Sequence, residues 1–349
     1  MKKLLCLALP VLAFAKPTQA PPPPAWDANL FRSDKQVVSG HLEFLYWKAQ
    51  EGCLDYAVKM KSPAWTTSVA TGTLAVGDYK NGSFDFDPGL RVSLSYFRAP
   101  KEWEVWASYT RLTSRGRDSA SKPGETDLFL SPTWEGPVFF TLPLLQAKSS
   151  THLNYNVADA MANRYFHPNA HLRLRLLGGI TAAWMSQNWV IQYFTSSVAQ
   201  QARTQNQWEF GGAGFRFGVM ADWFWTSDIY MTARGTVGAL MGFYKNQTKS
   251  TTTVANNPGT DNPALPLSNT TYRDGRATLT MQAMLGPSWQ KNFTSTRVEV
   301  FAGYEINTWS NLQEVFRSGG PGLSGPTQTL INSSLLSFQG LTTRLTMDF

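Results

Sequence analysis

Alternation governs this chain, and it runs longer than in an ordinary strand. In STRVEVFAGYEI, Val298, Val300, Ala302, Tyr304 and Ile306 fall on one face, opposite Arg297, Glu299, Phe301, Gly303 and Glu305. That is period 2, the signature of a strand with two unlike faces. The pattern recurs in HLEFLYWK, with His41, Glu43 and Leu45 against Leu42, Phe44 and Tyr46. It recurs again in DPGLRVSLSYF around Arg91, in KEWEVWASYT around Glu102 and Glu104, and in HLRLRL around Arg173 and Arg175. RATLTMQAML repeats it around Arg276, and TTRLTMDF around Arg344. Arg216 and Arg234 lie in two further alternating runs. The alternating runs span about 9 to 17 residues, whereas strands of soluble domains average 5 or 6.

One face of every run is apolar and the other is polar, with charges in mid-strand. A soluble sandwich would turn the apolar face inward. The length of the runs favours the opposite arrangement, with lipid outside and water inside. Trp47, Trp103, Tyr109, Trp184, Trp189, Trp208, Trp223, Trp225, Trp289 and Trp309 gather near strand ends, which suggests interfacial girdles. No apolar run beyond the first 20 residues is long enough to cross a bilayer as a helix, so a membrane form must be a closed barrel.

Ten strands are expected, near 38–49, 84–98, 102–113, 150–160, 170–184, 207–219, 227–242, 274–290, 294–310 and 337–349. Short links at 99–101, 161–169, 220–226 and 291–293 alternate with long ones at 50–83, 114–149, 185–206, 243–273 and 311–336. The expected fold is therefore all-β, a transmembrane antiparallel outer-membrane barrel with short periplasmic turns and long extracellular loops. Twelve strands is the alternative count, since 54–60 and 188–197 could add a pair or extend strands above the membrane.

The first 20 residues, MKKLLCLALPVLAFAKPTQA, read as a secretory signal peptide: two lysines, an apolar run and then small residues. Cleavage after Ala15 leaves Ala13 and Ala15 at the small positions, while cleavage after Ala20 would put Pro21 just past the cut. Residues 21–36 form a proline-rich leader, and 37–349 a single barrel domain. Removing Lys2, Lys3 and Lys16 lowers the formal charge from +7 to +4, and the remaining charges are dispersed. No nucleic-acid partner is indicated. Cys53 alone survives processing, so no internal disulfide is available.

The lumen-lining candidates are Arg91, Glu102, Glu104, Arg173, Arg175, Arg216, Arg234, Arg276, Arg297, Glu299, Glu305 and Arg344. Unpaired buried charges are expensive, so these groups must be paired or hydrated. Hydrated, they would line a pore passing ions or small hydrophilic solutes, with a weak anion preference at most. Paired across the lumen, they would leave a non-conducting structural barrel or an adhesin displaying its loops.

The stretches LEFLYWKAQEGCLDYA, LNYNVAD, LRLLGGITAAWMSQ, WEFGGAGFRFG and FAGYEINTWSNLQ resemble the Legionella outer membrane protein family. Its relatives are described as porins similar to the chlamydial major outer membrane protein, and occur in environmental chlamydiae. The resemblance covers nearly all of 37–349 and implies an outer-membrane barrel thought to form a pore. The cysteine-rich pattern of the crosslinked chlamydial proteins is missing, so a crosslinked coat is not implied. Phe349 resembles the terminal signal read by the barrel-insertion machinery. Outer-membrane lipid, that machinery and small solutes are the expected partners.

No enzyme is expected. His41, His152, His167 and His171 stand in no serine-hydrolase motif and show no metal-ligand spacing. GGAGFRFG lacks the helix and acid of a dinucleotide site; Gly211, Gly212 and Gly214 read instead as bends in a barrel wall. Neither a cofactor nor a metal is called for.

Overall fold

The computed structural model describes residues 36–60, 75–98, 101–125, 128–134, 144–195, 200–254, 265–293, 296–318 and 328–349. The expected signal peptide and almost all of the leader lie outside the described residues. Thirteen strands occur in order: β1 (Gln36–Glu51), β2 (Asp55–Met60), β3 (Ala75–Asn81), β4 (Phe86–Arg98), β5 (Trp103–Ser121), β6 (Phe129–Pro132), β7 (Leu144–Asn169), β8 (Leu172–Thr195), β9 (Gln200–Phe224), β10 (Ile229–Val254), β11 (Leu265–Asn292), β12 (Arg297–Ser318) and β13 (Gln328–Asp348).

Ten of them close a ring. From β7 the hydrogen-bonded order runs through β5, β4, β1, β13, β12, β11, β10, β9 and β8, and β8 pairs back with β7. Every pairing is antiparallel. The seam joins β1 to β13, with Ser39 opposite Asp348 and Glu51 opposite Leu336. Reciprocal backbone bonds between Val38 and Phe349 finish it, at 3.1 and 2.9 Å. Closure removes the free edges that lipid could not satisfy.

Each of the ten expected strands lies within or beside a ring strand, and the ring strands run further toward the long-loop rim. β11 reaches 28 residues, β7 and β10 reach 26. The 188–197 stretch extends β8, and 54–60 becomes β2, outside the ring. The expected link at 161–169 is strand instead, since β7 continues to Asn169 and only Ala170 and His171 separate it from β8. Likewise β9 runs to Phe224 through most of the 220–226 link.

The outer face is apolar where the strands cross the membrane. On β1, Val38, Leu42, Phe44 and Tyr46 point outward and stay exposed; Val38 to Tyr46 spans roughly 27 Å along a strand before tilt, and tilt reduces this toward a membrane band of about 25 Å. Tyr109, Trp184, Trp223, Trp225 and Trp289 are exposed near its limits, as girdle residues should be. Trp47, Trp189, Trp208 and Trp309 are not: all four are buried at 0–1 % exposure. Strand parity explains the difference. Trp47 shares its face with Leu45 and Glu43, and Trp309 with Glu305, so both rings enter the lumen.

Strands β2, β3 and β6 form a flap hung from the end of β7, through Leu130 opposite Leu144. The chain following β3 folds onto the inner wall. Gly82 N donates to Leu54 O at 2.8 Å, and a Cβ on Gly116 of β5 would stand 1.8 Å from the Ser83 carbonyl oxygen. Only glycine admits that approach.

Candidate functional site

The lumen has two layers. Toward the short-turn rim, seven guanidiniums face seven carboxylates among the described residues. Arg91, at the centre, donates to Glu43 at 2.5 Å, to Glu305 at 2.9 Å and to Thr110 at 2.9 Å. Glu305 is shared further: Arg234 lies 3.7 Å away, Thr342 donates at 2.8 Å, and Gln282 bonds closely. Asp222 holds Arg173 at 3.0 Å and Arg175 at 2.8 Å. Arg216 pairs with Asp159 at 2.9 Å, and Arg344 with Glu299 at 2.8 Å. Arg297 pairs closely with Asp348 and lies 3.8 Å from Glu299. Glu104 accepts from Asn163 at 3.0 Å and from Tyr165 at 2.9 Å.

Most of these contacts tie adjacent strands, and three reach further. β4 reaches β12 through Arg91 and Glu305, β10 reaches β12 across β11, and β9 reaches β7 across β8. The groups leave a cavity of about 60 Å³ lined by His41, Glu43, Glu104, Arg175, Arg234, Arg297, Glu299 and Arg344 among others. Nε of Arg234 and Arg344, Nε and Nη2 of Arg216, and Oδ1 of Asp348 are buried without a protein hydrogen-bond partner. Buried polar groups are almost always satisfied, and a polar cavity of this size holds water. This layer is wet.

Above it lies an aromatic plug. Tyr155, Trp47, Trp309 and Phe338 meet near the axis: Tyr155 is 4.5 Å from Phe338 and 6.1 Å from Trp309, and Trp47 is 6.2 Å from Phe338, between ring centroids. Asn307 of β12 donates to Tyr155 Oη of β7 at 2.8 Å. These two strands stand five places apart in the ring, so the bond spans the full width of the lumen. Arg91 sits under Trp47, its guanidinium 5.4 Å from the ring, where the two layers meet. Trp208, Tyr244, Trp189 and Leu312 continue the plug toward the long-loop rim. Leu312 enters because Asn311 adopts φ 57° in a bulge of β12, which re-aims the following residue.

The flap caps this layer. Tyr56 and Leu54 are buried against it, Tyr193 donates to the Tyr56 carbonyl at 2.7 Å, and Trp134 packs edge-on to Trp189 at 4.8 Å. Tyr56 donates to Asp118 at 3.0 Å; burial first, then that hydrogen bond and the negative charge of Asp118, push its hydroxyl pKa above the usual tyrosine range.

Ten of the twelve sequence-derived candidates meet in the charged layer: Arg91, Glu104, Arg173, Arg175, Arg216, Arg234, Arg297, Glu299, Glu305 and Arg344. Arg276 faces inward but higher, paired with Asp274 at 2.9 Å and stacked on Tyr244. Glu102 does not line the lumen. It occupies the β4–β5 turn with φ 51°, its side chain 55 % exposed and 3.9 Å from His167. Sequence reading missed Asp159 and Asp222 as lumen acids; Asp222 fell in an expected link, although its parity with Met220 and Phe224 marks the inward face. Counting them makes the acids of this layer equal in number to its arginines among the described residues.

In overall shape the chain is similar to the outer membrane protease OmpT from Escherichia coli, at 8% identity over 90% of this chain and 96% of that one, with a TM-score of 0.43. It is also similar to a Pseudomonas aeruginosa FadL homologue, at 8% identity over 90% of each chain and a TM-score of 0.26. A third likeness, at 9% identity over 90% of this chain and 87% of the other, is to the CymD monoaromatic hydrocarbon channel, with a TM-score of 0.28. Similarity this distant carries nothing about activity. Among curated proteins none matches. A family model does match, across residues 36–349 and so across the whole barrel, and the chain belongs to that family, described as the Legionella pneumophila major outer membrane protein precursor.

Proposed function

We propose that this outer-membrane barrel is a narrow pore for ions and small hydrophilic solutes, shut by its aromatic plug in the conformation described. The carrying observation is a charged layer with a cavity and orphaned polar atoms beneath a closely packed aromatic one. Orphaned guanidinium donors around a polar cavity need water, and that water continues outward once the plug rings, with Tyr155, Trp309 and Phe338 at its base, and the flap above them are displaced. With seven charges of each sign, such a pore discriminates little between anions and cations.

A second reading, a non-conducting barrel that displays its loops, draws on the pairing itself: the guanidiniums are in ion pairs, Arg91 reaches from β4 to Glu305 of β12, and Asn307 and Tyr155 bridge the width of the lumen. Planar-bilayer recording separates the two. The pore reading expects rare discrete steps from the refolded protein, frequent ones from Trp309→Ala with Phe338→Ala, and a reversal potential near zero under a salt gradient. Folded, inserted samples of both proteins that never conduct would establish the second reading.

We place the long-loop rim outside the cell. A single cysteine at 256 in a Cys53→Ser background should label on intact cells, and one at 293 should not. The reverse pattern would invert the barrel. The barrel-insertion machinery is proposed as the assembly partner, and no catalytic site is proposed.

A further inference from the structure

The outer wall carries a column of charge that neither layer of the lumen uses. Beyond the girdle residue Tyr109, β5 continues as Arg111, Thr113, Arg115 and Arg117, and the three arginines are exposed while Leu112, Ser114 and Gly116 between them are buried. All three therefore project from the outside of the barrel. The paired strand β7 sets Asn156, Asn154, His152 and Ser150 beside them, with Lys148 opposite Ser119. Lys148 lies over the Phe194 ring at 5.1 Å. Below the column Tyr109 donates to Asn156 at 3.0 Å, and Thr113 donates to Asn154 at 3.2 Å between the arginines.

None of the four cations makes an ion pair among the described residues. Asp118 is occupied by Tyr56 and by the Ser119 amide. The backbone of Asp85 bonds to the Arg115 carbonyl. The Asp87 carboxylate accepts from the Arg115 amide at 2.7 Å and from Ser114 Oγ at 3.1 Å, and so turns to the backbone and the inner side of β5. The column is thus a polar shelf of net positive charge, its guanidiniums without ion pairs among the described residues, directly above an aromatic belt, where lipid phosphates lie.

Its height selects among lipids. Arg111 to Arg117 covers about 20 Å along a strand, and barrel tilt still leaves roughly 15 Å of it normal to the membrane. A phospholipid headgroup layer is only about 5 to 7 Å thick on each side. A lipid that meets the whole column must carry its phosphates on sugars that project well past the acyl boundary. We propose that this column binds a phosphorylated glycolipid of the lipid A type, with arginine forks on phosphate oxygens.

The test is native mass spectrometry of the full-length protein refolded in neutral detergent, titrated with bisphosphorylated lipid A. The expected result is that Arg111→Gln, Arg115→Gln and Arg117→Gln together weaken binding about tenfold. Lys245→Gln with Arg273→Gln, on the opposite wall, should change it less than twofold. Dephosphorylated lipid A should bind the unaltered protein no better than lipid A binds the triple variant. The corresponding triple lysine variant, which keeps the charge, should recover part of the loss and stands in should the glutamine variant fail to fold by heat-modifiable mobility. Unchanged affinity in the folded triple variant would overturn the proposal, as would equal competition by phosphatidylglycerol. The assay does not depend on which rim faces outward or on whether the pore conducts.

Discussion

The two halves of the lumen stand on the same strands and solve opposite problems. On β1 Glu43 lies in the charged layer and Trp47, four residues on, in the plug; on β12 Glu305 and Trp309 repeat the step, and on β7 Asp159 and Tyr155 do so in the other direction. The charged half holds its strands by long-range ion pairs that need exact partners and water. The aromatic half holds them by packing, which excludes water and tolerates small shifts. A displacement that opens the plug therefore costs contact area, while one that opens the charged layer strands charges in a low dielectric. The difference teaches where a barrel like this can move.

The largest expected effect tests the charged half. Glu305→Ala removes the carboxylate shared by Arg91 and Arg234, and leaving Arg234 uncompensated and Arg91 with Glu43 alone should cost about 3 kcal/mol of unfolding free energy in lipid vesicles. Adding Arg91→Ala should return part of it. A loss below about 1 kcal/mol for the single variant would mean that water, rather than Glu305, carries the charges. In the other half, Trp309→Ala should cost about 3 kcal/mol, with little dependence on salt. A strong salt dependence there would erase the distinction between the layers.

Smaller again is Gly116→Ala. Its methyl group would strike the Ser83 carbonyl, so the flap must lift, at roughly 1–3 kcal/mol of local strain. Limited proteolysis near residue 83 should speed up while the ring stays folded; unchanged cleavage would show the flap to be loosely held already. Phe349→Ser should leave equilibrium stability nearly unaltered, since the ring is exposed, yet slow the appearance of the heat-modifiable form during assembly. Identical assembly kinetics would remove Phe349 from recognition.

Fold and charged layer were legible because period 2 is written in the sequence. Once Glu43, Arg91, Glu299, Arg297 and Arg344 are assigned to the polar face, their meeting in a ring of this size follows. The plug was less legible. A tryptophan near a strand end suits a membrane interface and a lumen equally well by composition, and only parity separates Trp184, outward, from Trp189, inward. Leu312 was beyond reach of parity altogether, since the bulge at Asn311 resets it. Glu102 shows the converse: alternation carried past the end of β5 assigns a face to a residue that belongs to a turn. The flap was legible only in part. The stretch 54–60 reads as strand, but its place over the plug depends on Gly116, whose role is visible only once Ser83 lies against it.

The seam between β1 and β13 has a consequence for how the ring is made. His41 and Thr346, bonded across it at 2.8 Å, are 305 residues apart in the chain. Closing a loop of that length in a free chain costs roughly 5 kcal/mol by its length-dependent part alone. No single pair at the seam recovers that, so the seam forms only when the eight intervening ring strands have brought the two ends together. Until then a curved sheet with two live edges persists, and each edge is as complementary to the matching edge of another copy as to its own. Order of assembly thus becomes a matter of competition: the intramolecular partner wins by local concentration, and a crowded membrane in which insertion stalls would favour exchange of terminal strands between neighbours.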